Sequence, residues 1–151
     1  MGQSPSSKNY TNNPNDTILV QGNIDLKNGK VIPRLYTTEI TKTSHPGDIL
    51  LTVRAPVGDI AINEYNCCIG RGVCSIKGNK FIYYLLEQMK MKDVFKKYSQ
   101  GSTFESINSK DIKNLKIFYP SIREQEKISN FLEFIDKKIR LMQKKHKNIE
   151  K

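Results

Sequence analysis

The runs Ile49-Leu50-Leu51-Thr52-Val53, Asp59-Ile60-Ala61-Ile62, Cys67-Cys68-Ile69 and Val73-Cys74-Ser75-Ile76 decide the fold class of this chain. Each is short, apolar and rich in β-branched residues, and glycines punctuate the spaces between them. Strands joined by tight turns are the economical reading. No long helical pattern separates the runs, so a βαβ alternation with a parallel sheet is excluded. A compact, mostly antiparallel sheet or partial barrel is expected. The three cysteines, Cys67, Cys68 and Cys74, all lie inside these runs. Their number is odd, no Cys-x-x-Cys pair occurs, and neither His45 nor His146 stands at ligand spacing from them. They read as reduced, buried strand residues rather than as a disulfide or zinc site.

Upstream, the first ~45 residues are rich in Ser, Asn, Thr, Gly and Pro, with one apolar run at Ile18-Leu19-Val20 and a turn signal at Lys27-Asn28-Gly29-Lys30. This is loop-heavy β structure. Downstream of Lys80 the period changes: Phe81, Tyr84, Leu85, Met91, Phe95 and Tyr98 recur at helical spacing and predict one amphipathic helix. Lys90, Lys92, Lys96 and Lys97 fall on its polar side. Gln100-Gly101-Ser102-Thr103 is expected to form a loop, with Gly101 closing the helix. A short helical turn near 109–114 and a strand at Leu115-Lys116-Ile117-Phe118-Tyr119, stopped by Pro120, complete the domain.

The last thirty residues carry a heptad pattern. Ser121 can cap a helix with Glu124 three residues on, and Ile128, Leu132, Ile135, Ile139, Met142, His146 and Ile149 follow in alternating steps of 4 and 3. The seam would span roughly 33 Å at ~1.5 Å per residue, too long and narrow to be one face of a small core. It calls for a partner helix. The expected architecture is therefore a mixed α+β domain over residues 1–120, its sheet packed with helices, followed by a coiled-coil spacer or dimerisation helix over 121–151.

The chain has 151 residues and 37% apolar content, enough for one domain with its own core. Its net charge of +10 points to a polyanionic partner, nucleic acid before acidic membrane. The charge is uneven: residues 1–79 carry 8 basic and 6 acidic side chains, and residues 80–151 carry 17 and 9. No run reaches the ~18 apolar residues of a membrane span, and the start lacks a signal peptide's apolar core, so a cytoplasmic address is expected.

Catalytic signals are sparse. Asp111-Ile112-Lys113 matches the Asp-x-Lys tail of many metal-dependent nucleases, but the segment reads as a short helix. Gly70-Arg71-Gly72 lacks the third glycine of a dinucleotide loop, and Asn13-Pro14-Asn15-Asp16 lacks the second proline and aromatic of the adenine-methyltransferase motif. Binding is the better category than catalysis. Two rivals stay open: a small nuclease using Asp111 and Lys113, and an RNA-associated coiled-coil adaptor.

Four stretches then stand in a telling order: Gly2-Gln3-Ser4-Pro5-Ser6-Ser7, Pro46 through Gly58, Gln100-Gly101-Ser102-Thr103, and Tyr119-Pro120-Ser121-Ile122-Arg123-Glu124-Gln125-Glu126-Lys127-Ile128. Together they resemble the specificity subunit of type I restriction-modification enzymes, with one target recognition domain and one conserved helical region. The family usually shows Pro-Pro or Leu-Pro before the Glu-Gln pair, where this chain has Pro120-Ser121-Ile122. Its usual subunit carries two such domains and two helical regions, so a half-subunit or an excised piece is expected, with Met1 an internal or artificial start.

The resemblance implies double-stranded DNA as ligand, partner methyltransferase and restriction subunits, and no cofactor in this chain. S-adenosylmethionine, ATP and magnesium belong to the partners. It implies the reading of one half of a bipartite target. An antiparallel helix pair ~33 Å long would then set two recognition domains about one ~34 Å turn of B-DNA apart. Candidate DNA contacts are Lys8, Asn9, Tyr10, Gln21, Asn23, Lys30, Arg34, Tyr36 and Arg71, together with Ser102, Thr103 and Arg54, whose alternative is a structural ion pair. The Ala55-Pro56 turn and Gly58 are expected to shape the domain. Ile128, Leu132, Ile135, Ile139, Met142 and Ile149 are the partner-helix candidates.

Overall fold

A computed structural model describes residues 1–99 and 106–149. The chain divides into two compact units, Met1–Lys116 and Ile117–Lys151. The first contains two open five-stranded sheets. One has the order β1 (Tyr10–Thr11), β5 (Tyr36–Thr37), β2 (Thr17–Val20), β9 (Cys67–Ile69), β6 (Thr43–Ser44). The other has the order β10 (Val73–Ile76), β7 (Ile49–Thr52), β8 (Ile60–Ile62), β4 (Lys30–Val31), β3 (Leu26–Lys27). Pairing is antiparallel except at β2/β9 and β4/β8. Neither sheet closes, so the partial-barrel alternative gives way to two open sheets.

Alternation on the central strands explains the continuous apolar runs. Ile49, Leu51 and Cys74 point into a cluster with Phe81, Ile82 and Leu86 of helix α1 (Lys80–Met91) and with Phe95 of α2 (Val94–Ser99). Their neighbours Leu50 and Val73 point the other way, into a cluster with Val20, Cys67 and Ile69 of the first sheet. The second sheet is thus covered on both faces, by helices and by the other sheet, which is why its strands read as unbroken apolar runs. All three cysteines are buried and free, and burial pushes the Cys67 and Cys74 thiols up to about 11.

Two local expectations need correction. The helix predicted from Lys80 through Tyr98 is broken: α1 ends at Met91, Asp93 takes a left-handed conformation (φ 53°), and α2 begins at Val94. Asp tolerates that region better than most residues. The break lets Phe95, 2% exposed, reach the core, where its ring edge lies 3.0 Å from the place a Cβ on Gly58 (φ +97°) would occupy. Met91, assigned to the apolar stripe, is 83% exposed at the end of α1. The strand expected at 115–119 does not form, because its β-branched and aromatic character finds no ladder partner. The unit boundary falls within this run, after Lys116. The short helix α3 (Ser109–Lys113) is present, capped by Asn108. The loop expected at 100–103, including its Gly101 closure, lies outside the described residues.

In the second unit, helix α4 spans Ile122–Ile149. Its entry is the predicted capping box: Ser121 Oγ donates to Glu124 Oε2 (2.6 Å), and Ser121 N donates to the same oxygen (3.0 Å). These bonds hold the Glu124 carboxyl below its ordinary value. No described helix is long and apolar enough to cross a membrane.

Candidate nucleic-acid interface

A cleft of about 240 Å³ opens in the first unit where four distant segments meet: Ser4, Gln21 to Asn23, Arg54 with Ala55, and Arg71 with Gly72. Backbone hydrogen bonds draw them together. Gly2 N donates to Val73 O (2.9 Å), Gln3 N to Ile69 O (2.9 Å), Gly70 N to Val20 O (2.8 Å) and Val53 N to Gly72 O (2.8 Å). Ser4 Oγ accepts from Arg71 N (3.1 Å), fastening the start of the chain to the turn that carries Arg71. A Cβ on Gly72 would stand 2.2 Å from Gln21 O, so only glycine admits this approach. The Gly70-Arg71-Gly72 triplet, weak as a nucleotide motif, therefore has a steric purpose: it seats an arginine beside the 21–23 turn.

That turn is rigid. Asp25, almost wholly buried, accepts from Gln21 N (2.7 Å) and Gly22 N (3.3 Å) on Oδ2 and from Arg34 Nε (3.1 Å) on Oδ1. The residues Asn23–Asp25 form a 3-10 turn capped in this way. With the backbone held, the Gln21 side chain is directed inward, and its Nε2 is buried without a hydrogen-bond partner among the described residues. Such a donor costs roughly 1–3 kcal/mol. Arg54 and Arg71 are exposed, and among the described residues no carboxylate lines the cleft with them: its walls carry guanidinium, amide and hydroxyl groups. Such a set suits an acceptor-rich, negatively charged ligand.

The structure thus brings together four of the predicted contacts, Gln21, Asn23, Arg54 and Arg71. Arg54 has no ion pair among the described residues, and it forms an isolated antiparallel bridge with Ser106. The other candidates lie outside the cleft. Arg34 pairs with Asp25, and Lys30 with Glu64 (2.9 Å). Asn9 Nδ2 donates to Glu39 Oε2 (2.7 Å), a bond that with Ser6 N lowers the Glu39 pKa. Tyr10 OH donates to Pro5 O (3.3 Å), Tyr36 sits in the sheet between Thr11 and Ile18, and Lys8 is exposed in the 3-10 turn Ser7–Asn9. Ser102 and Thr103 lie outside the described residues. Sequence reasoning missed Asp25, which acts through the backbone it holds, and Ser4, which lines the cleft and holds the Arg71 amide. A short Gly-x-x-Asp spacing at Gly22–Asp25 was the one available signal.

Asp111, a nuclease candidate, instead closes the capping box of α3, accepting from Asn108 N (2.9 Å). Among the described residues no three His, Cys, Asp or Glu side chains gather as metal ligands. On α4, Ile128 (42%), Ile135 (37%), Ile139 (46%) and Met142 (64%) are exposed along the heptad seam, with Leu132 partly buried. The Ile149 side chain lies outside the description. A second exposed row, Phe131, Phe134 and Leu141, runs beside the seam, with Lys138 Nζ 4.8 Å over the Phe134 ring.

The family of the type I restriction modification DNA specificity domain matches residues 1–151. The MjaX type I restriction enzyme specificity subunit named in Methanocaldococcus jannaschii is 38% identical over 157 residues, covering 100% of this chain and 36% of that protein. Among solved structures, a chain from work on complex assembly and conformational transition of the type I R-M system superposes with a TM-score of 0.83 at 31% identity, covering 94% of this chain and 36% of that one. The HsdS subunit from Thermoanaerobacter tengcongensis gives 0.79 at 29% identity, over 95% and 36%. The chain thus spans about a third of the length of these relatives. With the motif order, the two-sheet domain and the long helix all in agreement, the chain belongs to the type I restriction-modification DNA specificity family.

Proposed function

We propose that this chain binds duplex DNA in a sequence-specific manner and reads one half of a bipartite target. In this role it directs adenine methylation and cleavage carried out by partner methyltransferase and restriction subunits, where S-adenosylmethionine, ATP and magnesium act. The observation that carries the reading is the cleft lined by Gln21, Asn23, Arg54 and Arg71, whose lining among the described residues includes no acid. Nucleic-acid interfaces are built from such groups.

Helix α4 supplies the spacing. Its 28 residues reach about 42 Å. Its exposed seam at Ile128, Ile135, Ile139 and Met142 suits a sister helix from a second recognition half, and the Phe131, Phe134 and Leu141 row leaves apolar surface for a partner subunit. The test is selection of bound duplexes from a random pool, followed by titration at rising salt. Enrichment of a short half-site, with affinity falling steeply as salt rises, is the expected result. No enrichment over random sequence would refute sequence-specific reading. Replacing Ile135 and Ile139 together with Lys is expected to abolish helix-mediated association in sedimentation experiments while leaving half-site binding intact.

A further inference from the structure

We propose that Arg34 reads a guanine in the major groove, with Asp25 as the residue that positions it. This inference rests on the sequence-specific DNA binding proposed above, and it names the side chain and the base for one position of the half-site.

The geometry starts from a carboxylate turned inward. Only 2% of the Asp25 side chain is exposed, against 48% of Arg34, and the two meet through one bond, Arg34 Nε to Asp25 Oδ1 (3.1 Å). Asp25 Oδ2 accepts from Gln21 N and Gly22 N, and Asp25 O accepts from Ile32 N (2.8 Å). One buried residue thus ties the 21–25 turn to the segment that carries Arg34. An exposed arginine ordinarily spreads over many rotamers, at an entropic cost when it binds. Here Nε is anchored, and the two Nη groups make no hydrogen bond among the described residues. What Arg34 offers a ligand is therefore the outer edge of a planar fork held in one direction.

Two donors side by side match two adjacent acceptors. Among the base edges of the major groove guanine alone presents them, as O6 beside N7; adenine sets a donor beside its N7, thymine has one acceptor, and cytosine shows a donor. A phosphate also presents two acceptors, and charge decides against it. The buried Asp25 carboxylate lies against the guanidinium and is poorly screened by solvent, so the pair has no net charge to offer an anion. The uncharged edge of guanine needs direction rather than charge. Arg54 and Arg71, whose cleft has no acid in its lining among the described residues, carry no such counter-charge. The surroundings of the pair also suit a base surface. Ile24, next to Asp25 in the chain, and Ile32, two residues before Arg34, are 66% and 43% exposed, and apolar side chains of this kind meet thymine methyl groups.

The test uses the full chain and its selected half-site, with each guanine replaced in turn by 7-deazaguanine, which removes N7 and leaves every phosphate in place. At one position the replacement is expected to weaken the native chain about tenfold and to weaken Arg34→Lys no further, because lysine keeps the charge and loses the fork. Selection repeated with Arg34→Lys should lose the guanine preference at that position alone. A contact to a base neutralises no phosphate, so the slope of log affinity against log salt should change by much less than the value of about one that a lost phosphate contact brings. Asp25→Asn, which frees the arginine and uncovers its charge, should flatten the preference at the same position and steepen the salt slope. Circular dichroism checks that each variant is folded; Arg34→Lys leaves the buried carboxylate a cation, and it carries the test alone where Asp25→Asn is unfolded. The assignment is overturned if no guanine responds to the loss of N7, or if Arg34→Lys retains the guanine preference. A fall of about one in its salt slope with the preference intact would make Arg34 a phosphate contact, which also overturns it. A native chain that enriches no sequence overturns the DNA-binding reading itself, an outcome distinct from enrichment that is indifferent to Arg34.

Discussion

Two buried carboxylates, Asp25 and Asp48, hold tight turns by the same device, yet the turns they hold are left in opposite states. Asp48 Oδ2 accepts from His45 N (3.0 Å), Ser44 Oγ (3.1 Å) and Ser75 Oγ (2.9 Å), and Oδ1 accepts from Lys77 Nζ (2.5 Å). Asn63 extends the network, its Nδ2 donating to Ser44 Oγ (3.1 Å), His45 O (3.1 Å) and Tyr65 O (2.8 Å). The bonds join the turn before β7 to β10 and to the loop after β8, and the network closes on itself. At Asp25 the backbone is satisfied in the same way, but the Gln21 amide is not, and Asn23 and Ile24 (66% exposed) project from the turn. The scaffold turn and the turn that lines the cleft thus differ in the side chains left over once the backbone is secured.

The largest expected effect lies on the scaffold side. Asp48→Ala removes the acceptor for three buried or half-buried donors and should cost about 3 kcal/mol in urea unfolding. A loss below 1 kcal/mol would erase the contrast between the turns. Next comes pH. Burial pushes the Asp48 carboxyl up, but the His45 amide, the Lys77 ammonium and the Ser75 and Ser44 hydroxyls outweigh it and hold the group at about 2, below its ordinary 3.8. A depressed folded value adds stability that is fully present above the unfolded value. Roughly 2 kcal/mol should therefore be lost as pH falls from about 4 to about 2, read as the difference between the native and Asp48→Asn unfolding curves.

On the binding side the effects on stability shrink while those on DNA affinity persist. Asp25→Asn keeps the size of the side chain but weakens its bonds to Gln21 N, Gly22 N and Arg34. It should cost about 1–2 kcal/mol of stability and weaken duplex binding at temperatures where the variant is fully folded. Gln21→Met should be smallest of all in denaturation, neutral or stabilising by up to about 1 kcal/mol, because it removes a buried donor that has no partner. A clear loss of stability in this variant would mean that Gln21 belongs to the scaffold.

Much of the fold was legible before any coordinates. The four central runs all became strands, Ile18-Leu19-Val20 lies in β2, and the Asn28-Gly29 signal, with φ of 54° and 74°, turns the β3/β4 hairpin. Ser121 and Glu124 marked the start of α4 because a capping box acts within one turn of chain. The failures came where partners far away decide. Residues 115–119 have strand character and no strand to pair with, and the stripe from Phe81 to Tyr98 included the exposed Met91 and Tyr98, omitted the buried Ile82 and Leu86, and concealed the left-handed Asp93. Of the candidate site, the residue types were readable, but that Gln21, Asn23, Arg54 and Arg71 line one cleft while Lys8, Asn9, Tyr10 and Tyr36 do not was not legible in composition alone.

The sequence by itself determined what depends on near neighbours: strand and helix periodicity, caps, the heptad seam, and the ordered motifs that place the chain in its family. Only the tertiary structure decided that Ser4, Gln21, Arg54 and Arg71 share one cleft and that Asp25 is engaged inside the protein while the Gln21 Nε2 is buried without a hydrogen-bond partner among the described residues. The physical reason is that a polar group's availability depends on which partners the fold delivers to it, and those partners come from segments dozens of residues away.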